Sequence, residues 1–268
     1  MKFPTLEFSN SDFTPPGIHL ITVKSPAIHG RADISVFIPQ IASTSPLPLV
    51  TLLHGVYGSH WAWLFKAGAH QVLLRLIEEE GLPPMALAMP SDGLLGDGSG
   101  YLRHTHADYR TWVVKEVPAA VSQLEPRIMG SPRFLCGLSM GGYGALRLGA
   151  LFADHFSALS AHSSVTNASD LNSFLLKDSK PFSLDDHDPL DVAACLKANA
   201  AHLPPLRFDC GVEDPLIDSN RRLHYDLETA GIPHVYREFP GGHTWDYWSE
   251  HLADSLRFFA ATLAKPVL

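Results

Sequence analysis

The chain begins with alternating apolar and polar positions and then changes to short, wholly apolar runs. Residues 18–23 and 32–38 alternate on either side of His29 and Gly30, which is typical of an antiparallel strand pair with one solvated face. From residue 49 onward, apolar runs recur between longer segments with helical periodicity, and such runs are typical of buried parallel strands. The pattern predicts strands at 49–53, 85–89, 133–136, 158–161, 206–210 and 234–239, and helices at 71–79, 109–124, 140–152, 219–230 and 247–263.

This order of strands and helices predicts an α/β fold, with a mostly parallel central sheet flanked by helices on both faces. We expect residues 1–268 to form a single domain with a substantial core, because the chain is 46% hydrophobic. Residues 163–205 interrupt the rhythm, and an insertion of that length in a compact domain is usually functional. We interpret it as a lid over the carboxyl ends of the strands; the alternative is a structural excursion that covers the sheet edge.

A Gly-x-Ser-x-Gly pattern lies between the predicted strand at 133–136 and the predicted helix at 140–152. Ser139 stands at its centre, with Gly137 and Gly141 on either side. A strand–turn–helix context of this kind is typical of a nucleophile elbow, where the serine backbone is strained and bulky neighbours would clash. The glycines remove that bulk. We therefore expect a hydroxyl held at the end of the sheet, beside the N–H groups of a helix.

An acid and a histidine follow in the order that such a serine site requires. The predicted strand at 206–210 runs into an acidic loop that holds Glu213 and Asp214, and His243 lies on a glycine-rich loop after the next strand. Asp214 and His243 each follow the carboxyl end of a predicted strand, and ligands of α/β sheets bind at those ends. In such a site the histidine takes the serine proton, and a carboxylate fixes the imidazole tautomer.

Four segments together resemble the esterase D family of α/β-hydrolases. This family includes S-formylglutathione hydrolases, tributyrin-type short-chain esterases, feruloyl and acetylxylan esterases, and mycolyltransferases. The segments are Leu-Leu-His-Gly-Val at 52–56, Gly-Leu-Ser-Met-Gly-Gly-Tyr-Gly at 137–144, Gly-Val-Glu-Asp at 211–214 and Gly-His-Thr-Trp at 242–245. Their order and spacing resemble the family over residues 20–260. The resemblance implies a catalytic triad of Ser139 as nucleophile, His243 as base and Asp214 as acid.

The positions of three neighbouring carboxylates also favour Asp214 as the acid. Asp209 lies inside the predicted strand, where its side chain points to a face of the sheet. Glu213 is adjacent to Asp214, so the two side chains must point in different directions. Asp218 is expected to begin the next helix, where a carboxylate is favoured.

Two backbone N–H groups are expected to donate to the oxyanion that develops during acyl transfer. One is the amide of Met140, directly after the nucleophile. The second should come from the loop after the strand at 49–53, where Gly55 lets the backbone pass close to the site. By resemblance to the family, the donor in this loop is the Val56 amide. His54 is interpreted as a structural turn residue.

Aromatic residues cluster next to these loops. Tyr57, Trp61 and Trp63 follow the oxyanion loop, and Trp245 follows His243. Ligand sites favour aromatic walls, so we interpret these four aromatic residues as candidates for the substrate pocket. Because Trp61 and Trp63 are two positions apart on a loop or at the start of a helix, their side chains cannot both face the same core.

Two polar clusters superficially suggest metal ligands, but neither predicts a metal site. His104, His106 and Asp108 are interpreted as surface polar residues that lead into a helix. The acidic run at 185–188 lacks the glycine-hinged spacing of a calcium loop and is interpreted as a solvated turn. We expect neither a metal nor an organic cofactor, because a serine–histidine–carboxylate site needs none.

Composition and charge narrow the class of protein. Charged residues make up 18% of the chain, too few for a disordered chain. The net charge of −8 argues against nucleic acid or an anionic membrane as the partner. The N-terminus lacks the apolar core of a signal peptide, and no run approaches the ~18 apolar residues of a membrane span. We expect buried free thiols at Cys136, Cys195 and Cys210, and a cytoplasmic location.

The predicted function is a serine carboxylic-ester hydrolase that cleaves short-chain acyl esters through an acyl-enzyme. The expected partner is a small-molecule ester, and the sequence leaves open whether the chain forms a homo-oligomer. Alternatives within enzymes are an S-formylglutathione-type thioesterase, a feruloyl or acetyl-carbohydrate esterase, and an acyltransferase. A non-catalytic hydrolase-like binding protein would have lost a triad member, whereas this chain has all three.

Overall fold

A computed structural model describes residues 1–42, 44–92, 97–173, 184 and 187–264. Within these residues, the chain forms one large sheet and a small hairpin. The strands span Thr5–Phe8 (β1), Ile18–Ser25 (β2), Gly30–Phe37 (β3), Leu49–Leu53 (β4), Ala86–Pro90 (β5), Arg103–His104 (β6), Ala107–Asp108 (β7), Arg133–Leu138 (β8), Ala158–His162 (β9), Leu206–Gly211 (β10) and Val235–Phe239 (β11).

The large sheet has the strand order β1-β2-β3-β5-β4-β8-β9-β10-β11. The pairs β1–β2, β2–β3 and β3–β5 are antiparallel. All the pairs from β5–β4 to β10–β11 are parallel. The predicted antiparallel pair is therefore present as β2 and β3, with Ile18 opposite Phe37. The prediction of an α/β fold with a mostly parallel sheet is confirmed.

Helices cover both faces of the sheet. They span Ala62–Phe65 (α1), Ala69–Glu80 (α2), Tyr109–Thr111 (α3), Val117–Leu124 (α4), Met140–Leu151 (α5), Val192–Ala198 (α6), Ile217–Thr229 (α7) and Trp245–Leu263 (α8). Residues of α2 and α8 pack on one face, where Phe134 of β8 stacks on Phe259 of α8 with ring centroids 4.7 Å apart. Residues of α4 to α7 pack on the other face together with Leu135. Because successive strand residues point to opposite faces, a strand covered on both sides is largely apolar, and the polar residues that it does contain need buried partners.

The parallel strands bring five loops to one edge of the sheet. The loops after β4, β8, β9, β10 and β11 all leave from carboxyl ends of strands that are neighbours in the sheet. These loops carry Val56, Ser139, Ser163, Asp214 and His243. The candidate chemistry of the chain is therefore concentrated at one edge, as α/β sheets generally arrange it.

The predicted helix at 109–124 is interrupted. The segment Trp112–Glu116, between α3 and α4, is π-helical. Pro118 has no N–H to donate to a preceding carbonyl, and a wider turn before it accommodates that loss. Glu116 of this segment is buried, and its carboxylate accepts hydrogen bonds from the Ser25 hydroxyl and the Ala27 amide. The local sequence predicted a continuous helix. It could not predict the contact between Glu116 and the β2–β3 turn, because those residues are about 90 positions apart.

The described parts of the insertion at 163–205 pack against the helix that follows Ser139. They include a 3-10 helix at Ala168–Ser173 and the helix α6. On α5, Arg147 donates to the Pro189 carbonyl at 2.8 Å and the Tyr143 hydroxyl donates to the Leu190 carbonyl at 3.0 Å. The predicted acidic turn at 185–188 includes positions 185 and 186, which lie outside the described residues. Across the described part of the chain, no helix has the length and apolar character needed to cross a membrane.

Candidate active site

Ser139 has the backbone conformation of a nucleophile elbow. Its φ and ψ are 54° and −119°, a region that a residue with a side chain rarely adopts. A Cβ at Gly137 would lie 2.1 Å from the Gly141 carbonyl oxygen, and one at Gly141 would lie 2.2 Å from the Leu53 carbonyl oxygen. Both distances are far below contact distance, so only glycine fits at either position. The chain therefore turns from β8 into α5 with the Ser139 hydroxyl above the sheet.

Three side chains from different loops meet at this hydroxyl. The Nε2 atom of His243 lies 3.0 Å from the Ser139 Oγ atom. The Nδ1 atom of His243 lies 2.9 Å and 3.1 Å from the two carboxylate oxygens of Asp214. A carboxylate can only accept, so Nδ1 carries the imidazole proton, and Nε2 accepts from the Ser139 hydroxyl. The structure thus brings Ser139, His243 and Asp214 together in the geometry of a nucleophile, a base and an orienting acid.

The Asp214 side chain is held in its ionised form. It is fully buried, whereas the His243 side chain is 20% exposed. Burial alone would raise the pKa of Asp214. Hydrogen bonds from His243 and from the Leu216 amide, at 2.8 Å, outweigh burial and lower that pKa. The carboxylate is therefore charged at neutral pH and stabilises positive charge on the imidazole.

The three competing carboxylates have surroundings different from that of Asp214. Asp209 is buried within β10, where it pairs with His162 at 2.9 Å and with Arg207 at 2.8 Å. Glu213 is exposed, and the Asp218 side chain is 93% exposed in the first turn of α7.

The loop after β4 passes directly beside Ser139. A Cβ at Gly55 would lie 3.2 Å from the Ser139 Cβ atom. The next residue, Val56, and Met140 at the start of α5 both border Gly98, because a Cβ there would lie 3.6 Å from the Val56 side chain and 2.5 Å from the Met140 sulfur. Among the described residues, neither the Val56 nor the Met140 amide has a hydrogen-bond partner. Within the described parts of the chain, both N–H groups can therefore donate to a ligand.

His54 does more than occupy a turn. It is buried, its Nδ1–H donates to the Gly55 carbonyl at 2.7 Å, and its Nε2 accepts from the Asp92 amide at 3.2 Å. The Tyr101 hydroxyl donates to the His54 carbonyl at 3.0 Å. These bonds tie the loop after β4 to the loop after β5. Sequence reasoning missed this role, and the only signal was a histidine beside the glycine of the oxyanion loop.

The four aromatic candidates divide into two environments. Trp63 is 1% exposed in the core and its indole N–H donates to the Leu53 carbonyl at 2.9 Å. Its ring also meets that of Trp245 edge to face, with centroids 6.0 Å apart. Trp61 and Tyr57 are 43% and 65% exposed. The Lys66 ammonium lies 5.6 Å from the Trp61 ring and 5.4 Å from the Trp245 ring, so both indoles lie on the same rim.

Trp245 connects this rim to His243. Its ring meets that of Trp248 edge to face at 5.2 Å, and Trp248 meets the His243 ring in the same way at 4.9 Å. A continuous aromatic wall therefore runs from the imidazole to the exposed rim. Such walls give ligand sites their apolar surface.

His104 and Asp108, two of the residues that superficially suggested a metal site, have structural partners. His104 is buried, not at the surface as predicted, and it hydrogen bonds the Ser99 carbonyl at 2.7 Å. Asp108 caps α3 and accepts from the Arg110 and Thr111 amides. Within the described ranges, no group of three or more histidine, cysteine, aspartate or glutamate side chains could hold a metal ion.

Comparison with known proteins agrees with the fold. The sequence profile of the Esterase family matches residues 25–259. An acetyl esterase of Caldicellulosiruptor saccharolyticus is 29% identical over 241 residues, which cover 80% of this chain and 84% of the relative.

Two solved structures have the same fold. A ferulic acid esterase superposes with a TM-score of 0.78 at 25% identity, and the match covers 91% of this chain and 98% of that one. The fluorophosphonate-binding serine hydrolase F of Staphylococcus aureus superposes with a TM-score of 0.77 at 22% identity, over 92% and 99% of the two chains. The chain therefore belongs to the Esterase family and is a serine ester hydrolase with an α/β-hydrolase fold.

Proposed function

We propose that this enzyme hydrolyses carboxylic esters of short acyl chains through a covalent acyl-enzyme at Ser139. One observation carries the proposal: His243 lies within hydrogen-bond distance of the Ser139 hydroxyl on one side and of the Asp214 carboxylate on the other. Serine is a weak nucleophile until a base takes its proton. This arrangement supplies the base and fixes its tautomer.

The proposed first step forms the acyl-enzyme. The Ser139 Oγ atom bonds to the ester carbonyl carbon as its proton passes to His243. The negative charge that develops on the carbonyl oxygen accepts hydrogen bonds from the Val56 and Met140 amides. The bond from carbon to the alkoxy oxygen then breaks, and the leaving alkoxy group takes the proton from His243 and departs as an alcohol.

The second step releases the acid. Water gives a proton to His243 and attacks the acyl carbon, again with the oxyanion held by the two amides. The bond to Ser139 breaks, the serine regains its proton, and a carboxylic acid leaves. Every atom and proton is accounted for by substrate, water and the triad, so the proposed cycle needs no cofactor.

The aromatic wall supports a substrate with a compact acyl group. Tyr57 and Trp61 follow the oxyanion loop, and Trp245 extends the wall beside His243. We infer that bulky side chains at these positions shorten the acyl pocket to a few carbons. The similarity to an acetyl esterase points the same way. We propose acyl chains of two to four carbons as the preferred substrates.

The test is kcat/KM for 4-nitrophenyl acetate, butyrate, octanoate and palmitate. Each methylene that contacts an apolar wall contributes about 0.8 kcal/mol, so the two extra methylenes of butyrate should raise kcat/KM over acetate by about 15-fold. Octanoate should then fall below butyrate. A steady rise through octanoate would contradict the short-chain proposal. Higher kcat/KM for methyl ferulate or S-formylglutathione than for butyrate would instead assign a different ester or thioester substrate.

We further propose that the enzyme works in the cytoplasm. Its three cysteines, Cys136, Cys195 and Cys210, are all buried and free. Free thiols persist in a reducing compartment, whereas secreted proteins tend to form disulfides. Fractionation of cells that express the tagged protein would test this proposal, and recovery of the active enzyme outside the cytoplasmic fraction would contradict it.

A further inference from the structure

One peptide group of the loop after β4, that between Gly55 and Val56, carries the first expected oxyanion donor. The described chain contains no cis peptide bond, so the C=O and the N–H of this group point in opposite directions. Any contact that fixes the direction of the Gly55 carbonyl therefore also fixes the direction of the Val56 amide.

Two donors hold the Gly55 carbonyl. The His54 Nδ1–H donates to it at 2.7 Å, and the Gly58 amide donates to it at 3.1 Å. Both donors belong to the same loop, so the Val56 N–H points away from them, and no described residue accepts from it. The loop itself passes beside the nucleophile, since a Cβ at Gly55 would lie 3.2 Å from the Ser139 Cβ atom.

The second ring nitrogen of His54 fixes the first as a donor. Nε2 lies 3.2 Å from the Asp92 amide, from which it accepts. An amide N–H can only donate, so Nε2 carries no proton and the ring proton is on Nδ1. The side chain is only 2% exposed, so solvent does not compete for this proton.

The bond from His54 also changes the donor strength of the peptide group. A hydrogen bond to a carbonyl polarises its peptide, and successive hydrogen bonds strengthen one another. Electron density drawn toward the Gly55 oxygen leaves the Val56 N–H more positive. Because the bond exists before the reaction begins, it stabilises developing negative charge without any reorganisation.

We propose that His54 is a positioning residue for the oxyanion site and acts through the Gly55–Val56 peptide. Its Nδ1–H holds and polarises the Gly55 carbonyl, and thereby directs the Val56 amide to the carbonyl oxygen of the ester. This inference rests on the proposed function, and it gives His54 a role in the transition state as well as in joining two loops.

Two substitutions separate the two hydrogen bonds of His54. Asparagine has an amide N–H near the position of Nδ1, so His54→Asn can donate to the Gly55 carbonyl but does not reach the Asp92 amide. Glutamine has an amide oxygen near the position of Nε2, so His54→Gln can accept from the Asp92 amide but does not donate to Gly55. His54→Ala loses both bonds.

The first measurement is kcat and kcat/KM for 4-nitrophenyl butyrate. Loss of a whole oxyanion donor typically costs about 10²–10³ in kcat, so a misdirected donor should cost about 10- to 100-fold in His54→Gln and His54→Ala. The two parameters should fall by the same factor, because the oxyanion exists only in the transition state. His54→Asn should keep a kcat at least about tenfold above that of His54→Gln.

His251→Gln is the matched control. His251 is also a buried histidine, but its hydrogen bond is to Asp254 on α8. Its substitution should leave kcat unchanged.

The second measurement is the inhibition constant of propyl trifluoromethyl ketone. This compound forms an adduct with a reactive serine, and the negatively charged oxygen of the adduct takes the place of the oxyanion. The inhibition constant should rise in His54→Gln by the factor by which kcat/KM falls, and it should stay near the wild-type value in His54→Asn.

A histidine that only joined the two loops would give the reverse order. His54→Gln, which keeps the bond to Asp92, would then be active and His54→Asn would not; that order, or wild-type kcat in His54→Gln, would overturn the proposal. If the melting temperature shows that His54→Gln is unfolded, His54→Asn is compared with His54→Ala, and equal kcat values would overturn it. If wild type hydrolyses no ester, the proposed function fails; if wild type is active and all three His54 variants match it, only this inference fails.

Discussion

Asp214→Asn should reduce kcat about 10³- to 10⁴-fold without unfolding the protein. The substitution keeps the shape of the side chain but removes the charge that faces the His243 imidazolium in the transition state. At the observed separation of 2.9 Å, unit charges interact by about 6 kcal/mol with an effective dielectric constant of ~20. The His243 side chain is 20% exposed, so solvent screening reduces the interaction to about 4–5 kcal/mol. About 1.4 kcal/mol corresponds to a tenfold change in rate.

The assay is kcat for 4-nitrophenyl butyrate at neutral pH, with the melting temperature measured on the same samples. Glu213→Gln and Asp218→Asn are matched controls, because both carboxylates are exposed, and each should stay within about twofold of wild type. Asp209→Asn breaks a buried ion pair, so it should lower stability by about 3–5 kcal/mol. If Asp214→Asn keeps a tenth of wild-type kcat while another of these variants is inactive, the acid has been assigned wrongly.

Two further predictions concern the scaffold beneath the site. Gly141→Ala should abolish both activity and fluorophosphonate labelling, because its Cβ would lie 2.2 Å from the Leu53 carbonyl oxygen. The control is Gly30→Ala, which should keep both because the nearest atom to its Cβ would be 3.6 Å away. Labelling of the Gly141 variant at the wild-type rate would refute this interpretation of the turn. For His162, burial lowers the pKa, but the charge and hydrogen bond of Asp209 outweigh burial and raise it to about 9. Since the folded pKa lies above the ordinary value near 6.5, this group stabilises the fold fully below pH 6.5 and loses its contribution as pH rises through about 9. Denaturant titrations should show the free energy of unfolding falling by about 3 kcal/mol over this pH range. His162→Gln should remove this pH dependence. If the variant keeps the same pH dependence, His162 is not the titrating group.

Local sequence patterns predicted the parts of the site that depend on local chemistry. The turn at Ser139 was predictable because it needs glycine at 137 and 141 between an apolar strand and a helix, and all of these lie within a few residues. The proximity of Asp214 and His243 was predictable because each follows a strand of the same parallel sheet, and the carboxyl ends of such strands meet at one edge. The spacing of Trp61 and Trp63 showed that they could not share a core, but not which of the two is buried.

The rest of the site depends on contacts between distant residues. His162 and Asp209 are 47 residues apart, and a histidine at the end of an apolar run does not show that a carboxylate will face it. Ser163 is similar, since its φ is 47° and a serine after a strand does not indicate a left-handed backbone. His104 was predicted at the surface and is buried, because its ring packs edge to face on Tyr109 and hydrogen bonds a backbone carbonyl.

The sequence pattern also did not predict the edge strand β1 or the π-helical interruption of the helix at 109–124. The strand β1 has only four residues and pairs with β2 alone, so its alternation is too short to distinguish from a loop. The π-helical segment before Pro118 keeps the apolar spacing of an ordinary helix over most of its length.

The central claim is that Ser139 is the residue that carries the acyl group. The most direct measurement is the intact mass of the protein after reaction with a fluorophosphonate probe, followed by peptide mapping and by kcat/KM for 4-nitrophenyl butyrate. Wild type should gain one probe at Ser139. Ser139→Ala should gain none and should lose about 10⁴-fold or more in kcat/KM while its melting temperature stays near that of wild type. Labelling at another residue, or a tenth of wild-type kcat/KM in Ser139→Ala, would contradict the account.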